Sequence, residues 1–161
     1  MQRRRLRLRS ALATISLGFL LAGCDQSSDP EKLFADGDYP AALVVFEARA
    51  AGGDVEATNY LGVHYYLALG VKRDLKRAAG FFEEAAVAKH AGAQRNLGIM
   101  FLRGLGVPQD KVRAYSWFYQ SYEQGDPHAF KYLDFVSDYI TPNQSMGARR
   151  WVKQFMRDAR S

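Results

Sequence analysis

The chain repeats itself at a fixed distance of 36 residues. Moving residues 93–125 back by this distance superposes pairs of identical residues: Leu97 on Leu61, Gly98 on Gly62, Gly106 on Gly70, Val107 on Val71, Asp110 on Asp74, Ala114 on Ala78 and Phe118 on Phe82. A period of about 20–50 residues is typical of repeat proteins, in which each unit packs only against its neighbours. The sequence therefore predicts a stack of similar units.

Each unit has the signals of two helices joined by a loop that contains glycine. In the first full unit, helix A is predicted over about 55–68, with Gly70 as its left-handed C-terminal cap. Asp74 is the predicted N-cap of helix B, which runs to about residue 89. The second full unit has helices near 92–103 and 111–124. The predicted fold is an all-α solenoid of antiparallel helix pairs.

Incomplete units flank the two full ones. Two helices are predicted before residue 52, and they form an N-terminal cap of the stack. A third helix A is predicted from Asp126-Pro127 to about residue 139, with Asp134 in place of the mid-helix glycine. Thr141 and Gln144 have the spacing of a capping box and predict a last, amphipathic helix to about residue 160. We expect this C-terminal helix to seal the stack.

Gly62 and Gly98 fall in the middle of the A helices, where glycine costs about 1 kcal/mol relative to alanine. We expect a close approach of the paired helices to compensate, with Ala78 and Ala114 as the small partners on helix B. The space between units is expected to be filled by large side chains: Tyr60, Leu61, Tyr65, Phe82, Leu97, Phe101, Trp117 and Phe118.

The two full units share the pattern Ala-x-x-x-Leu-Gly, which begins at Ala57 and at Ala93 and continues into a Gly-Val-x-x-Asp-x-x-x-Ala loop and helix. The first unit has Leu67-Ala68 where the second has Arg103-Gly104. This pattern resembles the Sel1-like repeat, a relative of the tetratricopeptide repeat, with full repeats at about 57–90 and 93–125 in a domain spanning 30–161. The resemblance implies a right-handed α-superhelix that acts as a non-catalytic adaptor and holds a protein or peptide in its concave face.

The N-terminal residues 1–23 have the three parts of a secretory signal peptide: a basic start, an apolar run over 11–21 and small residues after it. The run is too short for a span of about 20 residues. Leu21-Ala22-Gly23-Cys24 resembles the bacterial lipobox, which implies cleavage before Cys24, lipid attachment to its thiol and a short tether over 24–29. The alternative is an ordinary signal peptide that contains a cysteine by chance.

The resemblance to bacterial lipoproteins also bears on location. It implies a lipid-anchored, periplasm-facing protein of the bacterial cell envelope. Asp25, directly after the lipidated position, resembles the signal that keeps such proteins in the inner membrane, although the outer membrane stays open. Cys24 is the only cysteine, so neither an intrachain disulfide nor a cysteine zinc site can form.

Charge and motifs exclude several functions. The formal charge of +5 arises from five arginines in residues 1–23, and the remaining 17 basic residues balance 17 acidic ones, so no nucleic-acid partner is expected. No P-loop, nucleophile elbow or metalloprotease motif is present. His64, His90 and His128 are far apart and are predicted to be at the surface or partly packed, so we expect no metal and no cofactor.

The predicted functional surface is a groove formed by the A helices. If these helices present the positions used by tetratricopeptide repeats, the inner face carries a mixed aromatic and basic strip that includes Val63 and Ile99. The residues expected to contact a partner are Asn59, Tyr66, Arg95, Leu102, Arg103, Lys131, Phe135 and Tyr139. Such a strip suits an extended peptide, with arginines bound to carboxylates and aromatic rings to apolar side chains.

The predicted function is a scaffold for a protein or peptide of the cell envelope. In one alternative the C-terminal helix itself fills the groove. In another the protein is a regulatory lipoprotein that controls an envelope sensor or a polysaccharide or secretion complex. A third alternative is an enzyme acting on cell-wall or β-lactam substrates, but the related secreted proteins are rich in cysteines that this chain lacks.

Overall fold

The computed structural model describes residues 29–159, and within this range the chain is entirely helical, with no strand. The helices are α1 (Pro30–Ala35), α2 (Tyr39–Ala51), α3 (Val55–Leu67), α4 (Leu75–Val87), α5 (Ala91–Arg103), α6 (Lys111–Glu123), α7 (Ala129–Ser137) and α8 (Pro142–Asp158). This confirms the predicted all-α solenoid. None of the helices in the described range is long and apolar enough to cross a membrane. Cys24 and Asp25 lie outside the described residues.

Aspartates fix the starts of the repeat helices. Asp54 accepts a hydrogen bond from the backbone N–H of Ala57 at 3.0 Å, and Asp110 accepts one from Arg113 at 2.9 Å. The N-cap of α5 is instead His90, whose Nδ1 accepts from the backbone N–H of Ala93 at 2.9 Å. Each of these contacts satisfies one of the N–H groups that the first turn of a helix leaves without a partner. The helix starts therefore recur at the sequence period.

Helices pack in antiparallel pairs, α3 with α4 and α5 with α6, and α4 joins the pairs by packing on α5. These helices share one core, whose largest fully buried side chains include Trp117, Phe118 and Leu97. The predicted core residues are buried except Tyr60, which is half-buried and stacks on Phe46 with ring centroids 4.4 Å apart. The N-terminal helices α1 and α2 cover the first unit through a second, smaller cluster around Phe46.

The mid-helix glycines face aromatic rings. A Cβ added at Gly62 would lie 2.5 Å from the ring of Phe82, and one added at Gly98 would lie 2.6 Å from the ring of Phe118. The prediction of a close approach holds, and the atoms nearest to the glycines belong to Phe82 and Phe118 of helix B. The predicted small partners Ala78 and Ala114 are fully buried on the same helices. Each glycine therefore leaves space for a buried ring at the same place in its unit.

The loop after helix A also differs from the prediction. The left-handed C-cap of α3 is Ala68, with φ of 62°, and not Gly70, while Gly104 takes the same place after α5. Gly70 serves another contact, because a Cβ there would lie 2.7 Å from the backbone nitrogen of Pro40. Its counterpart Gly106 meets the backbone of Leu75 in the same way. Gly70 and Gly106 thus let each loop touch the start of the preceding helix B.

The stack ends irregularly. Helix α7 begins at Ala129 rather than at Asp126-Pro127, and residues 127–128 form a turn. Asp126 Oδ1 accepts from the backbone N–H of His128 at 2.8 Å, while its Oδ2 accepts from Arg95 and Ser121. The capping box of α8 is present, with Gln144 N–H donating to Thr141 Oγ1 at 3.2 Å and Thr141 N–H donating to Gln144 Oε1 at 2.7 Å. Helix α8 packs on α6 and leaves one side of α7 uncovered.

Candidate functional site

The first depression on the A helices is small and apolar. It has a volume of about 180 Å³ and lies between α3 and α5, with the buried Phe82 ring from α4 in its wall. We call it the apolar depression, and its lining residues are Val63, Tyr66, Leu67, Phe82, Asn96 and Ile99. Leu67 is 55% exposed, which is high for a leucine within an ordered helix. The only polar side chain in the lining, apart from the tyrosine hydroxyl, is the amide of Asn96.

The second depression is larger and carries positive charge. It has a volume of about 560 Å³ and lies between the end of α5, the following loop, the start of α6, and α7. We call it the basic depression, and its lining residues are Leu102, Arg103, Gln109, Lys111, Lys131, Tyr132, Phe135 and Tyr139. Five of the predicted groove residues, Leu102, Arg103, Lys131, Phe135 and Tyr139, meet here. No acidic residue lines it.

The repeat explains why these side chains share a face. Val63, Ile99 and Phe135 are each separated by 36 residues and occupy one position of successive A helices. Leu67, Arg103 and Tyr139 form a second such set, in which Leu67 and Arg103 end α3 and α5 and Tyr139 lies in the turn after α7. Because helix α5 contributes Ile99 to one depression and Leu102 with Arg103 to the other, the two depressions are neighbours on either side of α5.

The lysines of the basic depression rest on aromatic rings. Lys111 Nζ lies 4.0 Å from the ring centroid of Tyr139, and Lys131 Nζ lies 5.0 Å from that of Tyr132. Among residues 29–159, no carboxylate lies within ion-pair distance of these two lysines or of Arg103. A cation–π contact orients an ammonium without neutralising it. The depression therefore presents three positive charges that no acid of the described chain pairs.

Asn59 and Arg95 are used within the fold. Asn59 is 9% exposed, and its Oδ1 accepts a hydrogen bond from Asn96 Nδ2 at 3.3 Å. Arg95 Nε donates to Asp126 Oδ2 at 2.6 Å, and this carboxylate also accepts from Ser121 Oγ at 3.1 Å. Burial alone would raise the pKa of Asp126, but the bonds from Arg95 and the backbone N–H of His128 outweigh it and lower that pKa. Arg95 thus ties α5 to the start of the last unit, and a role of either residue in partner binding stays a prediction.

The groove prediction does not include the lining residues Leu67, Asn96, Gln109, Lys111 and Tyr132, and three of them show different reasons. Leu67 occupies the same repeat position as Arg103 and Tyr139, so the period of 36 residues contained the signal. Lys111 starts α6, and only the path of the loop brings it to the A helices. Gln109 lies in that loop, where its side-chain Nε2 donates to the Leu102 carbonyl at 2.8 Å. Contacts between a loop and an adjacent helix do not follow from a pattern of helix faces.

Helix α8 contributes to neither depression. Its apolar residues Ala148, Val152 and Met156 are buried, and the helix packs on α6. The alternative in which the C-terminal helix fills the groove is therefore wrong for the part of α8 that the structure describes. Both depressions are open to solvent in the chain as described.

The histidines are separate from these depressions. His64 is fully buried among the rings of Phe34, Tyr39 and Phe46, so the predicted surface or partly packed position is wrong for this residue. Burial lowers its pKa, although a contact of 2.7 Å between Nδ1 and the Leu69 carbonyl acts against this. His90 contacts Glu56 through Nε2 at 2.7 Å. No group of three or more metal-ligating side chains occurs in residues 29–159.

Comparison with known proteins identifies the repeat unit. The family model described as Sel1 repeat matches residues 55–88 and 91–126. The crystal structure of a protective antigen present in uropathogenic Escherichia coli, described as displaying an SLR fold, is similar with a TM-score of 0.74 and 26% identity. That match covers 80% of this chain and 28% of the antigen. No curated protein matches the chain.

A second solved structure, a Sel1 repeat protein from Oxalobacter formigenes, has a TM-score of 0.63 and 29% identity and is matched over 78% of this chain and 53% of that one. The chain thus spans only part of the length of both similar structures. The family match, the 36-residue period and the helix pairs agree with one another. The chain contains two Sel1 repeats within an all-α solenoid.

Proposed function

We propose that the protein is a membrane-anchored, periplasm-facing lipoprotein that acts as a non-catalytic scaffold and binds a segment of a cell-envelope protein. Sel1 repeats generally mediate protein–protein interaction, and the observation that carries the proposal is the pair of open depressions on the A helices. Recognition surfaces of this kind combine exposed aromatic side chains with arginine. The bound segment lies across α3, α5 and α7, in contact with Tyr66, Leu102 and Phe135.

The membrane anchor is carried by Cys24, and Asp25 retains the protein in the inner membrane. This part of the proposal is supported by the lipobox-like sequence Leu21-Ala22-Gly23-Cys24. Each buried CH₂ group of an acyl chain contributes about 0.8 kcal/mol, so two or more chains hold a protein stably on a membrane surface. A Cys24→Ala variant is expected to move from the membrane fraction to the soluble fraction. Continued membrane association of that variant would refute the lipid anchor.

A photo-crosslinking amino acid placed in the depressions tests the scaffold function in intact cells. The probe is placed at Leu102 in the basic depression and, in a second strain, at Tyr66 in the apolar depression. The matched control carries the same probe at Glu83, which is exposed on α4 and lines neither depression. We expect one defined cross-linked protein from both groove positions and none from position 83. Equal cross-linking at all three positions, or at none, would contradict the proposal.

A further inference from the structure

We infer that the two depressions recognise one extended segment in two parts: an apolar side chain enters the apolar depression, and acidic side chains two to four residues away enter the basic depression. This inference rests on the proposed scaffold function and specifies the chemistry of its partner. The occupant is therefore an acidic segment with one large apolar residue, and not a basic, lipid or nucleic-acid ligand.

The acidic part follows from the charge of the basic depression. Arg103, Lys111 and Lys131 line it, no acidic residue does, and no ion pair within residues 29–159 neutralises any of the three. This excess is local, because residues 24–161 carry 17 basic and 17 acidic side chains. Arg103 can form two parallel hydrogen bonds with one carboxylate, and the lysines add charge that steers an acidic segment to the site.

The apolar part follows from the lining and size of the other depression. Val63, Leu67 and Ile99 line it together with the ring of Tyr66, and Asn96 supplies the only amide. Its volume of about 180 Å³ is below the roughly 300–1,000 Å³ of typical small-molecule sites, so it suits one large side chain better than a cofactor. Asn96 Nδ2 donates one hydrogen bond to Asn59 Oδ1, and its second N–H and the amide oxygen can bond to the backbone of an extended segment, whose N–H and C=O groups need partners.

The spacing of the two parts follows from helix geometry. Along α5, Ile99 of the apolar depression and Arg103 of the basic depression are four residues apart in the sequence, or about 6 Å along the helix axis. Neighbouring helices are about 8–10 Å apart, which sets the distance across the groove. An extended chain advances about 3.3 Å per residue. Two to four residues of the bound segment therefore separate its apolar side chain from its acidic ones.

Selection from a displayed library of random 12-residue peptides tests this inference. The bait is the full-length protein purified in detergent, and it is compared with a double variant that combines Arg103→Glu and Lys131→Glu. The control is Arg150→Glu on α8, an exposed residue outside both depressions that undergoes the same reversal of charge as each of the two substituted residues. Circular dichroism spectra of all variants should match the wild-type spectrum, since the substituted side chains are exposed.

We expect the selected peptides to be enriched in Asp and Glu, with a Leu, Ile, Phe or Met two to four residues away. The double variant should raise the Kd of a selected peptide at least tenfold, whereas Arg150→Glu should change it less than twofold. Replacement of the peptide's acids by lysine should restore binding to the double variant. Leu67→Glu should weaken the binding of the same peptide, because Leu67 lines the apolar depression.

Selected peptides that lack acidic residues, or that bind the double variant as well as the wild type, would overturn the inference while leaving the scaffold function in place. Loss of binding in Arg150→Glu to the same extent would show that net charge, and not the basic depression, attracts the peptide, and would also overturn it. Failure to select any peptide, together with no cross-linked protein from positions 66 and 102 in cells, would overturn both the inference and the proposed function.

Discussion

Replacing Gly98 by alanine should destabilise the protein, although alanine is the better helix former. In an exposed helix interior the change from glycine to alanine stabilises by about 1 kcal/mol. At this position the new Cβ would lie 2.6 Å from the ring of Phe118, well inside a normal contact distance. The ring cannot move aside easily, because Phe118 is fully buried and stacks on Tyr132 with centroids 5.1 Å apart.

The expected size follows from these two opposing terms. Inserting a methyl group into a packed core typically costs about 1–3 kcal/mol, and a contact this short belongs in the upper half of that range. Subtracting the gain in helix propensity leaves a net loss of about 1–2 kcal/mol in the free energy of unfolding. Gly62, which faces Phe82 at 2.5 Å, should behave in the same way.

Gly80 supplies the matched control for this prediction. It lies in α4, and a Cβ added there would meet nothing within 4 Å beyond the backbone of its own helix, so Gly80→Ala should stabilise by up to about 1 kcal/mol. Urea unfolding of the full-length protein in detergent, followed by circular dichroism, measures both variants. A second substitution, Phe118→Leu, should reduce the penalty of Gly98→Ala, because it removes the ring that the methyl group meets. Stabilisation by Gly98→Ala of the same size as by Gly80→Ala would refute the packing argument.

Three further predictions concern the C-cap of α3, the buried His64 and the packing of α7. Ala68→Gly should stabilise by about 0.5–1 kcal/mol in urea unfolding, because Ala68 caps α3 with a φ of 62° that glycine adopts without strain; an unchanged midpoint would contradict this. Burial lowers the pKa of His64 from 6.5 in the folded protein. Between that lowered pKa and pH 6.5 the unfolded chain binds a proton that the folded chain does not, so the free energy of unfolding should fall as the pH decreases through this range. His64→Met, the residue type found at the same repeat position in α5, should remove that part of the pH dependence; an unchanged profile would assign it to other groups. Amide hydrogen exchange should be faster in α7 than in α5, since α7 packs mainly on α6 whereas α5 packs on both α4 and α6; equal protection would contradict this.

Most of the fold could be predicted from the 36-residue period in the sequence. The residues that recur at 36 positions, such as Leu61 and Leu97 or Phe82 and Phe118, are buried in the core and fix how each helix pair packs. The roles of the glycines are harder to predict, because their positions in the sequence do not show which neighbouring residue lies close to each of them. The sequence predicts Gly70 as the C-cap of α3, whereas in the structure it contacts the backbone of Pro40, which no local pattern relates to this loop.

The residues of the candidate site could be predicted where they follow from the faces of the A helices. They could not be predicted where they depend on which charged side chains form ion pairs. Leu102, Arg103 and Phe135 follow from the positions that successive A helices present. Arg95 belongs to the same faces, yet its guanidinium binds Asp126, a residue 31 positions away in the sequence. Whether an exposed arginine is free or paired depends on where an acid from another unit is placed. The sequence pattern could not supply that information.

The departure from the repeat in the last unit connects the end of the stack with the basic depression. Asp134 occupies the position of Gly62 and Gly98, and Ser137 that of Tyr65 and Phe101, which pack in the core of the earlier units. Both replacements are exposed, since α8 packs on α6 and no helix B of its own covers α7 in the described part of the chain. A polar outer face allows a terminal unit to meet water. The same arrangement keeps α8 away from the side of α7 that bears Lys131 and Phe135, so the substitutions that end the stack also leave the basic depression open to a partner.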